Sequence, residues 1–109
     1  MSFTGEYTAT APTRAELDAG AGVVVLEFGT GWCGHCMAAQ PALQAAFAPR
    51  TATHLKVEDG KGRPLGRSFA VKLWPTVIVL RDGQEVARVV RPRDADALAP
   101  IIAALDDPA

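Results

Sequence analysis

Two long apolar runs dominate the hydrophobic pattern of the chain. Residues 23–28 are apolar at all positions but one, and residues 76–80 are mostly β-branched and apolar. Runs of this length predict strands that are buried on both faces, as in the middle of a sheet covered by helices. Asp82-Gly83 predicts a hairpin turn after the second run, and the alternating residues 85–90 predict the strand that returns.

Two helical segments lie in the first half of the chain. Residues 13–16 read Thr-Arg-Ala-Glu, which is the spacing of a capping box, and predict a short helix that ends near Gly20. Good helix formers dominate residues 33–48 and predict a longer helix. Pro41 lies inside that segment and predicts a kink, because proline lacks the N–H of a helical hydrogen bond.

The second half of the chain predicts one more strand and two more helices. Residues 54–58 alternate in polarity like a strand, and residues 64–70 predict a short helix with proline at its first position. A last helix is predicted over residues 94–105, because its apolar positions fall on one face. Pro100 removes a backbone donor there, so we expect an irregular first turn or a start nearer Asp96.

These elements predict an α/β fold with a central mixed sheet of four to five strands, flanked by helices on both faces. Their order favours a sheet that is parallel at first and ends in an antiparallel hairpin, and residues 3–7 add a candidate N-terminal strand. A length of 109 residues suits one domain, so we expect residues 1–109 to form a single domain. A content of 49% hydrophobic and 21% charged residues is ordinary for a globular protein and excludes a disordered chain.

The charge pattern argues against nucleic-acid and membrane partners. Eleven basic residues oppose twelve acidic ones, and the two signs are interspersed, without the basic stripe typical of nucleic-acid binding. No apolar run approaches the roughly 18 residues of a membrane span. Residues 1–11 lack the basic start and apolar stretch of a secretory signal. We therefore expect a soluble protein of the cytoplasm that acts as a monomer.

Cys33 and Cys36 are the only cysteines, and they stand three positions apart. A secreted disulfide scaffold usually has four or more cysteines at wider spacings, and so short a loop removes little chain entropy. A zinc site needs two further ligands, for which the chain offers only His35 and His54 besides carboxylates. Haem attachment needs histidine where Met37 stands. We expect no metal and no cofactor, and a cysteine pair that serves redox chemistry.

The cysteine pair follows a predicted buried strand and opens a predicted helix. Cys33 then lies at the helix N-terminus, where unpaired backbone N–H groups and the helix dipole favour a thiolate over a thiol. Cys36 lies on the same face one turn deeper, within reach of a mixed disulfide formed by Cys33. This geometry predicts that Cys33 attacks a substrate disulfide and that Cys36 resolves the intermediate.

With these features the chain resembles the thioredoxin family over almost its whole length. The resemblance rests on short motifs spread along the chain, namely Glu27-Phe28, Trp32-Cys33-Gly34-His35-Cys36, Pro41, Lys56, Trp74-Pro75-Thr76 and the Asp82-Gly83 hairpin. It implies a thioredoxin fold and a thiol–disulfide oxidoreductase that reduces or isomerises protein disulfides and is recycled by a reductase or a thiol pool. Glu27 together with Gly34-His35 resembles the protein disulfide isomerase domains, since thioredoxins usually have Asp at the position of Glu27.

The resemblance also implies a groove for the substrate. Trp74-Pro75 is expected to be a cis peptide bond facing the cysteines, whereas a plain loop with a trans bond is the alternative. The Trp74 backbone would then pair with an extended substrate segment, in a shallow groove lined by Trp32, Gly34, Trp74 and Pro75. The simpler interpretations are a half-buried packing role for Trp32 and an exposed ring without a role for Trp74.

A carboxylate in the middle of an apolar strand is costly to bury, which makes Glu27 a candidate for proton transfer. We expect burial to raise the pKa of Glu27 toward neutrality, so that it accepts a proton from Cys36 when the mixed disulfide is resolved. The resemblance places Lys56 on the adjacent strand, as the partner that sets the proton affinity of Glu27. The alternatives are a surface-facing Glu27 and a solvated Lys56.

The two histidines are expected to differ in role. Protonated His35 would stabilise the Cys33 thiolate, favour the reduced dithiol and make the disulfide a better oxidant than one with proline at this position. His54 stands at the start of a predicted strand and is expected to be structural or solvated.

Some positions depart from the pattern of the family. Bulky, basic residues 90–93 follow the hairpin, where thioredoxins commonly place glycine. Arg91 and Arg93 are therefore expected either to favour acidic substrates or simply to be solvated. Met37 replaces the Lys or Arg that often follows the second cysteine. The competing function is a non-catalytic binding module, in which the scaffold presents its groove to one partner and the cysteines are spectators.

Overall fold

The computed structural model describes residues 5–107 of the chain. Within this range the chain forms four helices and four strands, in the order α1 (Arg14–Asp18), β1 (Val23–Gly29), α2 (Gly34–Phe47), β2 (Thr53–Glu58), α3 (Pro64–Ser68), β3 (Thr76–Arg81), β4 (Gln84–Val90) and α4 (Ala99–Asp106). This is the order that the sequence pattern predicts.

The sheet has the strand order β2-β1-β3-β4, with β1 and β3 in the middle. β1 pairs with β2 in parallel and with β3 in antiparallel orientation, and a hairpin joins β3 to β4. The two apolar runs of the sequence are thus the two central strands, most of whose residues are buried. The expected mixed sheet, parallel at first and ending in a hairpin, is confirmed.

Hydrophobic cores lie on both faces of the sheet. Because side chains alternate along β1, Val25 belongs to the core beneath α2 and α4, whereas Leu26 belongs to the core beneath α1 and α3. The helices supply the rest of each core, with Leu43, Phe47 and Ile101 on the first face and Leu17 and Leu65 on the second. The sheet is therefore covered by helices on both faces, as the thioredoxin fold requires.

The shorter signals along the helices are confirmed in part. The Thr13 side chain accepts the N–H of Glu16 at 3.1 Å, and Glu16 accepts the N–H of Thr13 at 2.9 Å, so the predicted capping box opens α1. Pro64 takes the first position of α3, although that helix ends two residues earlier than expected. α2 continues through Pro41, and the kink expected there stays a prediction.

The last helix begins later than the sequence pattern predicts. α4 starts at Ala99 rather than at residue 94, with Pro100 in its first turn. Pro100 lacks the N–H that would bond the carbonyl of Asp96 in a longer helix, so the helix begins only where that donor is not needed. Upstream, Asp94 accepts the N–H of Ala97 at 2.8 Å in a separate turn.

The predicted N-terminal strand, residues 3–7, lies partly outside the described residues. Directly after this segment, Thr8 forms an isolated parallel bridge to Val57. The Thr8 N–H donates to the carbonyl of Lys56 at 3.0 Å, and the N–H of Glu58 donates to the carbonyl of Thr8 at 2.9 Å. These two bonds fix the segment that carries Tyr7 along the edge of β2.

Candidate active site

Cys33 is the N-cap residue of α2, directly after the turn that follows central strand β1. Its backbone is extended, with φ −84° and ψ 120°, and its sulfur accepts the N–H of Cys36 at 3.2 Å. Both cysteines are free thiols. The structure thus places Cys33 at the helix N-terminus, as the sequence predicts, with a backbone N–H directed at its sulfur.

The two sulfurs differ in environment. Cys33 has 7% of its surface exposed, whereas Cys36 has 1%. Burial, together with the hydrogen bond to Cys33, raises the pKa of the Cys36 thiol to about 11. At neutral pH Cys36 therefore holds its proton, and a group that removes this proton is needed before Cys36 can attack a disulfide.

The Glu27 side chain is fully buried and surrounded by hydrogen-bond donors. Nε2 of His54 lies 2.9 Å from Oε1, and Nε2 of Gln40 donates to Oε2 at 2.9 Å. The Tyr7 hydroxyl also donates to Oε2. Nζ of Lys56 lies 3.9 Å from the same oxygen. Glu27 is thus the centre of a buried polar network rather than a surface carboxylate.

The expected rise in the pKa of Glu27 is wrong. Burial by itself raises the pKa, but the hydrogen bonds from His54, Tyr7 and Gln40 and the charge of Lys56 together outweigh it and lower the pKa below its ordinary value. The group is therefore a carboxylate at neutral pH. A carboxylate carries no proton and can therefore accept one from a neighbouring group.

Lys56 and His54 are both buried, so the solvated alternatives for these two residues are wrong. Nζ of Lys56 donates to Oε1 of Gln40 at 2.7 Å and to the carbonyl of Gly5 at 3.0 Å. Burial lowers the pKa of the Lys56 ammonium group. The expected pairing of Lys56 with the Glu27 carboxylate holds at the level of geometry.

The strand register explains why these residues meet. Glu27 on β1 lies opposite Lys56 on β2 in the parallel ladder, and His54 lies two residues before Lys56, on the same face. Gln40 lies one turn after Cys36 on α2, which covers that face. The sequence interpretation missed His54, Gln40 and Tyr7, although the two-residue and four-residue spacings are signals for the first two.

Gly29, the last residue of β1, leaves the space in which Cys36 and Tyr7 approach each other. A Cβ atom at Gly29 would lie 2.6 Å from the sulfur of Cys36 and 2.7 Å from the hydroxyl oxygen of Tyr7. Both distances are shorter than any real carbon contact, so a larger residue would displace one of the two groups. The Tyr7 hydroxyl, which donates to Glu27, therefore lies next to the sulfur of Cys36.

The Trp74-Pro75 peptide bond is cis, as the family resemblance implies. Trp32 is 75% exposed, which excludes the half-buried packing role, and its ring meets that of Trp74 edge to face at 5.7 Å between centroids. Nε1 of Trp74 donates to Asp59 at 2.9 Å. The two tryptophans thus form one surface beside the cysteine loop, where Gly34 is also exposed.

The arginines after the hairpin occupy two different environments. Nε of Arg91 donates to the carbonyl of Trp74 at 2.8 Å, and the N–H of Arg91 donates to the carbonyl of Pro75 at 2.8 Å. Arg91 is therefore held by the chain rather than solvated, and it has a left-handed φ of 53°. Arg93 is exposed, which fits both of the alternatives expected for it.

No helix within residues 5–107 is long and apolar enough to cross a membrane. No group of three or more His, Cys, Asp or Glu side chains in the same range is placed to hold a metal ion.

A mixed sheet between two helical layers, with a Cys-x-x-Cys pair that opens the helix after a central strand and a cis proline before the next one, defines the class of thioredoxin-fold thiol–disulfide oxidoreductases. The sequence model of the family described as Thioredoxin matches residues 7–104. The chain therefore belongs to the thioredoxin family.

Individual relatives agree with this assignment. Thioredoxin of Chlamydia trachomatis serovar D is 39% identical over 83 residues, which cover 74% of this chain and 80% of that protein. The structure of reduced thioredoxin 2 from Pseudomonas aeruginosa PAO1 has a TM-score of 0.83 and 58% identity, over 94% of this chain and 96% of that chain. A protein disulfide-isomerase of Zea mays is 30% identical over 83 residues, 69% of this chain but only 16% of that protein.

The protein is accordingly a thiol–disulfide oxidoreductase with a Cys-x-x-Cys pair, and the non-catalytic binding module is not favoured. Members of the family are protein-disulfide oxidoreductases.

Proposed function

We propose that Cys33 is the nucleophile of this oxidoreductase and that Cys36 is the resolving cysteine. The Cys33 thiolate attacks one sulfur of a protein disulfide, so that a mixed disulfide forms and one substrate thiolate leaves. The Cys36 thiolate then attacks the Cys33 sulfur, the second substrate thiolate leaves, and a Cys33–Cys36 disulfide remains. The difference in burial supports this order, because a protein substrate reaches the more exposed of the two cysteines more readily.

In this scheme Glu27 accepts the proton of Cys36. It is a carboxylate at neutral pH, it is buried on the inner side of the cysteine pair, and His54 and Lys56 set its proton affinity. A carboxylate with a lowered pKa is a weak base, so it holds the proton only briefly while Cys36 attacks. His35, exposed between the cysteines, adjusts the balance between dithiol and disulfide.

The substrate groove in this proposal consists of Trp32, Gly34, Trp74 and Pro75. The exposed ring of Trp32 and its edge contact with Trp74 support it, because an exposed aromatic pair beside a reactive sulfur offers apolar contact to an extended chain. The substrates are protein disulfides that lie in an extended segment of the substrate chain.

A reductase or a thiol pool regenerates the dithiol, and the protein acts as a monomer in the cytoplasm, without metal, cofactor, nucleic acid or membrane. The cytoplasm is a reducing compartment and keeps a pair such as Cys33 and Cys36 in the dithiol form that attacks disulfides. The measured reduction potential decides between net reduction and isomerisation of substrates.

Reduction of insulin by a dithiol tests the proposal. Wild type should accelerate the reaction, and Cys33→Ser should abolish the acceleration. In the absence of the dithiol, Cys36→Ser should instead accumulate a mixed disulfide with insulin, visible as a mass increase that added dithiol reverses. Equal acceleration by wild type and Cys33→Ser would contradict the assignment of the nucleophile.

A further inference from the structure

The hydroxyl group of Tyr7 lies between the two groups that exchange a proton in the proposed function. It donates to Oε2 of Glu27, and it lies beside the thiol of Cys36. The missing side chain of Gly29 gives independent evidence of this approach, because one Cβ position there would touch both the Cys36 sulfur and the Tyr7 oxygen. Tyr7 therefore bridges the thiol and the carboxylate.

The surroundings of Glu27 leave Tyr7 as the connecting group. Oε1 of Glu27 is taken by His54, and Gln40 approaches Oε2. Gln40 also donates to the carbonyl of Cys36 at 2.8 Å, so its amide N–H groups point at acceptors rather than at the thiol. The hydroxyl of Tyr7 is both a donor and an acceptor, which is what a group between an S–H and a carboxylate must be.

The position of Tyr7 is fixed by more than its hydroxyl. The adjacent residue Thr8 is bonded on both sides to β2, and Nζ of Lys56 lies 4.4 Å from the centre of the Tyr7 ring. An ammonium group over an aromatic face is attracted to it. The ring is therefore held independently of the hydroxyl group.

We propose that Tyr7 is a catalytic residue that relays the proton of Cys36 to Glu27 while the mixed disulfide is resolved, an assignment that rests on the proposed roles of the two cysteines. Cys36 gives its S–H proton to the Tyr7 oxygen as Tyr7 gives its O–H proton to Glu27. The Cys36 sulfur then forms a bond to the Cys33 sulfur with its electron pair, and the bond between Cys33 and the substrate breaks. The substrate leaves as a thiolate, Glu27 is a carboxylic acid, and Tyr7 is unchanged.

The electrostatics of Tyr7 suit a relay rather than a base. Burial and the charge of Glu27 raise the pKa of Tyr7 far above its ordinary value, so a phenolate is strongly disfavoured. The hydroxyl releases its proton only when it receives another. An open cleft lined by Tyr7, Cys36, Gln40 and Lys56 adjoins the pair and connects it to solvent, to which the proton returns afterwards.

Tyr7→Phe tests this relay, because it removes the hydroxyl group and keeps the ring over Lys56. The probe is a bis(carboxynitrophenyl) disulfide, each half of which leaves as a coloured thiolate. The attack of Cys33 releases the first half, and resolution by Cys36 releases the second, so stopped-flow absorbance separates the two steps. At neutral pH we expect the second phase of Tyr7→Phe to slow at least about tenfold and the first to stay within about twofold of wild type.

The pH profile separates a relay from a structural effect. In wild type the rate of the second phase should be flat around neutral pH, because Glu27 is already ionised. In Tyr7→Phe it should rise about tenfold per pH unit on the alkaline side, because hydroxide must then remove the proton of Cys36. Thr8→Val is the matched control, since it removes a hydroxyl from the same segment, and both of its phases should match wild type.

An unchanged second phase in Tyr7→Phe, or equal slowing of both phases, would overturn the relay. A Tyr7→Phe profile that keeps the wild-type shape at a lower rate would also overturn it. Failure of the underlying cysteine roles has a different signature: release of both coloured halves by Cys36→Ser, which would overturn the relay with them.

Discussion

The side chain of Arg91 is hydrogen-bonded to the main-chain carbonyl of Trp74, with 2.8 Å between Nε and the oxygen. That carbonyl precedes the cis proline, at the place where the family resemblance puts the backbone of an extended substrate. A substrate that pairs with this carbonyl needs the same acceptor that Arg91 occupies. Arg91 therefore competes with a bound substrate for a backbone hydrogen bond in the proposed groove.

Removal of this competitor should strengthen substrate binding. For Arg91→Ala we expect KM for a protein disulfide to fall roughly two- to tenfold with kcat unchanged, because one hydrogen bond contributes about 0.5–1.5 kcal/mol. Arg91→Gly should do the same and also relieve the left-handed φ of 53°. Arg93→Ala, at an exposed position, is the control. A rise in KM for both Arg91 variants would mean that Arg91 binds substrate instead.

Gly29→Ala should damage the active site from within the sheet. The added carbon would lie 2.6 Å from the Cys36 sulfur, and overpacking of this kind costs about 1–3 kcal/mol of the free energy of unfolding. Denaturant unfolding measures this loss. Gly31→Ala is the matched control, since nothing lies within 4 Å of its Cβ position. Equal stability of the two variants would show that the site around Gly29 is looser than described.

The ionised Glu27 should make stability depend on pH at the acid end. A carboxyl group with a lowered pKa in the folded state contributes stability that is fully present above its ordinary pKa of 4.5 and is lost as pH falls through the lower folded pKa. The free energy of unfolding of wild type should therefore fall below pH 4.5. Glu27→Gln should lose that part of the acid slope.

The same variant should be less stable at neutral pH by roughly 3–5 kcal/mol, because Lys56 loses the nearest opposite charge within a buried network. Glu58→Gln, which removes a surface ion pair with Arg63, should change the free energy of unfolding by less than about 1 kcal/mol. Parallel acid slopes for wild type and Glu27→Gln would contradict the lowered pKa of Glu27.

Most of the fold could be predicted from the sequence because its central strands are buried on both faces. Such strands need apolar side chains at nearly every position, so β1 and β3 appear as continuous runs. The predicted start of α4 at residue 94 is too early, because Pro100 can lie in the first turn of a helix but not in its interior. The pattern of apolar side chains does not register backbone hydrogen bonds, whereas the start of this helix depends on the N–H group that Pro100 lacks.

The candidate site could be predicted only where its residues are close in sequence. The relation of Cys33 to Cys36 follows from helical spacing, but the direction of the pKa shift of Glu27 depends on how many donors surround it. His54 and Lys56 are two residues apart on a strand, and this spacing predicts that their side chains share one face of the sheet. Tyr7 lies in the candidate strand of residues 3–7, but the single bridge at Thr8 leaves no sequence pattern that indicates which groups the Tyr7 hydroxyl meets.

His35 can be tested through the redox equilibrium. His35→Pro removes the imidazole side chain between the cysteines and should lower the reduction potential by some tens of millivolts, compared with about 90 mV between the reference potentials of thioredoxin and protein disulfide isomerase. Equilibration with glutathione redox buffers measures the change. An unchanged potential would remove His35 from the account.

The assignment of Cys33 as nucleophile and Cys36 as resolving cysteine is tested most directly by alkylation of the reduced protein. One equivalent of iodoacetamide at neutral pH should modify Cys33, because that sulfur is the more exposed and because burial raises the pKa of Cys36 to about 11. Fragmentation of the labelled peptide by mass spectrometry locates the adduct. Modification of Cys33 with Cys36 left free is the predicted result, and equal or preferential modification of Cys36 would contradict it.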